Sequence, residues 1–180
     1  MPCFRLFHGG GFVAQEFALK YPRRVASLIL VSTHLGGEKA LQVPESIVNT
    51  VLCERRNEWN FEEDLMRKFS LIFNPEYMEE HPEEINQIIF WINDEVVPRY
   101  ALTRQLDAIR RFNLGDEVSR IRAPTLITAG TSDRVVSYKS SEIPAEIIPN
   151  SRLVLFEEAS HFLFIEEAPL FNRTVMDFFG

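Results

Sequence analysis

Three short apolar runs constrain this chain more than any other feature. Val25–Val31 is a nearly unbroken stretch rich in Val, Ile and Leu, and Thr125–Ala129 and Arg152–Phe156 repeat the pattern near the other end. Such lengths suit strands better than helices, and near-continuous apolarity is what a strand covered on both faces of a parallel sheet requires. Parallel strands need crossovers, and helical patterns flank these runs. Ala14, Phe17, Ala18 and Tyr21 fall at i, i+3, i+4 and i+7, making one apolar helix face that ends before Pro22. Pro169 can open a last helix with Phe171, Val175 and Phe178 on one side. Strands alternating with helices give α/β architecture.

Between Thr33 and Ala123 the pattern changes. Phe61, Leu65, Phe69 and Phe73 recur every fourth residue, and Ile85, Ile88, Ile89, Ile92 and Val96 form another helical stripe. Pro98 interrupts it, and Leu102, Leu106 and Ile109 resume it. A helical excursion of about ninety residues is far longer than an ordinary crossover. It suggests a cap over a site, the plainer alternative being helices that pad the sheet.

The 180 residues, 46% of them hydrophobic with fifteen phenylalanines, are enough for one substantial core and argue against disorder. A net charge of −7, with Arg23-Arg24, Arg55-Arg56 and Arg110-Arg111 isolated among acids, speaks against nucleic acid as a partner. No apolar run reaches a membrane span, and Met1–Phe7 lacks a signal peptide's apolar core, so no membrane partner is expected. Cys3 and Cys53 make neither a metal-ligand spacing nor a disulfide framework, and His34 and His81 are scattered. The expectation is a cytoplasmic protein without metal or cofactor.

The segments "GGFVAQEFALKYPRRVASLILVST", "APTLITAGTSDRVV" and "EEASHFLFIEEAPLFNRTVMDFF" resemble, in that order, the C-terminal half of the α/β-hydrolase family. The nearest subset carries a helical cap and includes small esterases, lactonases and carbon–carbon bond hydrolases. The resemblance covers all but the first few residues and weakens across the cap. It implies a partial α/β-hydrolase fold: a mostly parallel sheet of about four strands with flanking helices and a helical cap insertion. Residues 1–35 would hold an elbow remnant, a helix and a strand, 36–118 the cap, and 119–180 the rest of the core. Phe4–Phe7 could supply a first, shortened strand.

The resemblance also implies a site. Asp133 follows one apolar run through Gly130-Thr131-Ser132, where family members place the acid of a catalytic triad. His161 follows the next through Glu157-Glu158-Ala159-Ser160, matching the catalytic histidine. Alone, an aspartate in a turn is usually a turn former and a single histidine usually structural. Together, in the family's order, they read as the carboxylate that orients an imidazole and the imidazole that moves the proton. Phe162 and Leu163 beside the histidine hint at an apolar pocket, while Glu157, Glu158, Glu166 and Glu167 read as solvated.

The nucleophile is the departure. The family's elbow reads Gly-x-Ser-x-Gly, and alignment through Val13-Ala14-Gln15 puts Gly10 and Gly11 on its trailing glycines and His8 on the serine. No other Gly-x-Ser-x-Gly occurs, and neither cysteine falls at the elbow. His8-Gly9-Gly10-Gly11 could instead be an oxyanion loop, yet no elbow follows it. Codons for Arg5–Gly9 can also be read one base later as Gly-Phe-Ser-Met-Gly, consistent with an out-of-frame or truncated start. The expectation is a hydrolase-family chain whose intact parent cleaves a small ester, lactone or related carbonyl substrate. The chain itself is expected to be inactive and prone to self-association through an open sheet edge. The alternative is a non-catalytic isoform or pseudoenzyme that binds a small ligand or a protein partner.

Overall fold

The computed structural model describes residues 7–37, 46–47, 50, 61–93 and 99–180. In chain order its elements are α1 (Phe7–Lys20), β1 (Leu28–Val31), α2 (Phe61–Ile72), α3 (Pro75–Glu80), α4 (Pro82–Asn93), α5 (Arg99–Arg111), β2 (Thr125–Gly130), α6 (Tyr138–Ile147), β3 (Ser151–Phe156), α7 (Leu163–Glu166) and α8 (Ala168–Phe179).

The three apolar runs become three parallel strands in the order β1-β2-β3, with Leu28 opposite Thr125 and Thr125 opposite Ser151. Every residue of the central strand β2 is buried, as expected for a strand flanked on both edges and covered on both faces. On one side Ala18 of α1 and Ile148 close over Leu28, Leu30 and Ile127, joined by Leu114, Val118 and Ile121. On the other, Phe156, Ala159 and Leu163 pack with Val31, Val154 and Phe171 of α8. A third cluster joins the helical segment to the sheet: Leu65, Phe69 and Phe73 of the α2 stretch meet Ile85 and Ile88 of α4 around Phe162. Full burial of each such phenylalanine contributes about 1.5–3 kcal/mol, so the residue next to His161 is also an anchor for α2 and α4.

Three strands pair among the described residues, against about four expected. The proposed extra strand falls on Phe4–Phe7, of which residues 4–6 lie outside the described residues and Phe7 opens α1. The first paired strand also starts later than Val25, because Pro22–Arg24 form a short 3-10 turn and Val25 is its C-cap. The stripes at Phe61–Phe73 and Ile85–Ile92 lie on α2 and α4 as read, Phe73 being the residue just after α2. Val96 and Pro98 lie outside the described residues. The last helix begins at Ala168, with Pro169 in its first turn.

Candidate active site

The carboxyl ends of parallel strands are where a sheet of this kind gathers ligand-facing loops. Here the loops after β2 and β3 are laced together by main-chain contacts. Thr131 N donates to Phe156 O at 2.9 Å and Ser132 N to Ala159 O at 3.0 Å. Glu158 N donates to Thr131 Oγ1 at 2.8 Å, and Glu158 takes a left-handed backbone with φ of 60°. The approach is so close that a Cβ on Gly130 would collide with the main-chain carbonyls of Ala159 and Ser160.

This lacing brings Asp133 to His161. Asp133 Oδ1 accepts two main-chain N–H groups, from Val135 and Val136, each at 2.8 Å. Its Oδ2 lies 2.8 Å from His161 Nδ1, and both side chains are buried. A carboxylate can only accept, so with Asp133 as the acceptor His161 donates from Nδ1 and Nε2 is the ring nitrogen that can take a proton. A base held in one tautomer with a buried counter-charge can take up a proton and have the resulting imidazolium stabilised.

The end of β1 adds a third loop to the same edge. Ser32 is buried with φ of 46°, a strained region for a residue other than glycine. Its Oγ donates to the main-chain oxygen of His161 at 3.4 Å. His34 is buried beside it: Nδ1 accepts the Gly36 N–H at 2.9 Å, Phe12 presents its ring at 4.9 Å, and the main-chain oxygen accepts Gln15 Nε2 at 3.2 Å. Burial pushes the His34 ring down to about 4, so it is neutral near neutral pH. In the sequence His34 reads as a scattered histidine and Ser32 carries no motif, although both follow an apolar run as closely as Asp133 follows its own.

Glu166 corrects an expectation. Instead of being solvated, its carboxylate accepts Ser160 N at 2.6 Å and Asn74 N at 2.8 Å. Burial, together with the nearby Asp133 charge, raises its pKa. Glu157 and Glu158 are exposed as expected, and Glu167 is partly so. Phe162 and Leu163 are core residues. His8 lies in the first turn of α1. Among the described residues no group of three His, Cys, Asp or Glu side chains could hold a metal ion, and no helix is long and apolar enough to cross a membrane.

Comparison with known proteins agrees with this architecture. The family model for serine aminopeptidase, S33, matches residues 8–168. Lipase 3 of Moraxella sp. (strain TA144) is 24% identical over 161 residues, 87% of this chain and 49% of the lipase. The pimeloyl-[acyl-carrier protein] methyl ester esterase of Aeromonas hydrophila subsp. hydrophila is 29% identical over 174 residues, 95% of this chain and 67% of the esterase. Among solved structures, the enol-lactonase of Burkholderia xenovorans LB400 superposes with a TM-score of 0.78 at 26% identity, covering 96% of this chain and 63% of the lactonase. The chain thus spans about half to two thirds of the length of these relatives. A family match over nearly the whole sequence, on a parallel sheet with flanking helices, places this chain in the serine aminopeptidase (S33) family of α/β hydrolases.

Proposed function

We propose that this chain carries the acid–base half of a serine-type hydrolase site for a small ester, lactone or related carbonyl substrate. The 2.8 Å contact between His161 Nδ1 and Asp133 Oδ2 carries this reading, because the opposite carboxylate oxygen is held by two N–H groups and cannot swing away. The substrate class follows the relatives, which are named as a lipase, a methyl ester esterase and an enol-lactonase. In the full reaction a serine hydroxyl attacks the carbonyl carbon while His161 Nε2 takes its proton. The imidazolium then protonates the departing oxygen, and a water activated by the same ring releases the acyl group. Asp133 holds the ring and its charge throughout. The helices between residues 36 and 118 are read as the cap over this site, between core segments 1–35 and 119–180.

The nucleophile's aligned position holds His8, and the buried Ser32 spends its hydroxyl on a main-chain carbonyl. This chain on its own is therefore a very poor esterase, since loss of a triad nucleophile costs on the order of 10⁶ in turnover. The test is hydrolysis of a p-nitrophenyl ester by the purified chain and by His161→Ala. Equal rates, near the uncatalysed background, are expected. Turnover that disappears in His161→Ala would contradict the assignment of this chain as inactive.

A further inference from the structure

Glu166 is a half-buried carboxylate with no part in the proton transfers above, and its location has a cost. Removing a carboxylate from water is unfavourable unless fixed dipoles replace the lost hydration. Here the replacements are two main-chain N–H groups from distant parts of the chain. One belongs to Ser160, the residue before His161, and the other to Asn74, at the junction between α2 and α3. The same two segments meet at three more points. Phe162 N donates to Ile72 O at 3.2 Å, Asn74 Nδ2 donates to Glu158 O at 2.9 Å, and the Phe73 ring packs edge-on against Phe162 with centroids 4.8 Å apart. Asn74 itself is pinned by capping α3, its Oδ1 accepting Glu76 N at 2.8 Å. The loop that carries His161 is thus clamped between β2 and the α2–α3 junction, with Glu166 at the centre of the clamp.

We infer that Glu166 is a positioning residue: by binding the N–H groups of Ser160 and Asn74 together, its carboxylate fixes the His161 loop so that the ring stays on Asp133. This inference rests on the reading of Asp133 and His161 as an acid–base pair. It requires both oxygens to accept, which a glutamine cannot do with its nitrogen and an alanine cannot do at all.

The experiment is nuclear magnetic resonance of the full chain labelled with ¹⁵N-histidine, at a pH where the His161 ring is neutral. The ring ¹⁵N shifts give the ratio of the Nδ1–H to the Nε2–H tautomer. Wild type is expected to hold the Nδ1–H form almost alone. In Glu166→Ala the ratio is expected to fall about tenfold or more, the scale of a lost charge-assisted hydrogen bond, and in Glu166→Gln by less. Amide protection in β2 should be unchanged, which separates loss of positioning from loss of fold. Asp133→Asn tests the underlying reading: a wild-type ratio there overturns the acid–base pair itself. If Asp133→Asn loses the tautomer while both Glu166 variants stay within twofold of wild type, the inference about Glu166 alone is overturned. Unfolding of Glu166→Ala leaves the decision to Glu166→Gln, and unfolding of both assigns Glu166 to the fold and overturns the positioning role.

Discussion

Two corners of one sheet edge treat their buried polar atoms in opposite ways. At the corner built by the loops after β2 and β3, both oxygens of Asp133 and both oxygens of Glu166 have partners between 2.6 and 2.8 Å. At the corner where α1 meets the end of β1, Gln15 Oε1 and Thr33 Oγ1 are buried without a hydrogen-bond partner among the described residues. Each such orphan costs about 1–3 kcal/mol relative to a satisfied group. The first corner holds each of these carboxylate oxygens in a hydrogen bond, while the second leaves two buried polar atoms unpartnered among the described residues. The contrast agrees with the proposed reading, in which Asp133 and His161 form the acid–base pair and His8 stands at the aligned elbow position.

That comparison can be broken at several points. The largest effect is expected for Gly130→Ala. Its new methyl would meet the carbonyls of Ala159 and Ser160, which are main chain and cannot rotate aside. Urea unfolding should show a loss of about 3 kcal/mol, the upper range for overpacking. The same substitution at Gly11 meets only the Thr33 side chain and should cost less; the reverse order would mean that the second corner is the rigid one.

His34 provides the next effect, through pH. Its folded value of about 4 lies below its ordinary 6.5, so the unfolded chain binds the proton more tightly. The stabilising contribution is complete above 6.5 and is lost as pH falls towards 4, by about 3 kcal/mol in all. Glu166 acts in the opposite sense, because its raised value makes its contribution greatest at low pH and lost as pH rises through that value. Subtracting the stability curve of His34→Asn from that of wild type isolates the histidine. A flat difference between pH 6.5 and 4 would mean that the ring is hydrated and the β1 corner is open.

The smallest effect has the opposite sign. Thr33→Val replaces an unpartnered hydroxyl with a methyl of similar shape, and should be neutral or stabilising by up to about 1 kcal/mol. Destabilisation by more than this in thermal melts would show that the hydroxyl has a partner and that the two corners are alike.

How far the sequence foretold this arrangement depended on whether a signal was local. The strand at Thr125–Gly130, the helix opened around Pro169 and the placement of Asp133 and His161 just past apolar runs were all legible from neighbouring residues. Glu166 was not, because nothing near it in the chain announces the Asn74 N–H that arrives from 92 residues away. His34 looked ordinary because its burial depends on Phe12 and Gln15 from α1 closing over it. The start of β1 differs from the apolar run for a smaller reason. Val25 and Ala26 carry the apolar run back towards α1, but the 3-10 turn at Pro22–Arg24 delays pairing until Leu28.

The most direct test of the central claim is reaction of the folded chain with a fluorophosphonate probe, followed by peptide mapping. That reagent reports a serine hydroxyl activated by an adjacent base. No stoichiometric labelling is expected, since in the proposed reading His8 stands where the family places its serine. Specific labelling of one serine, Ser32 included, that is lost in His161→Ala would contradict the account.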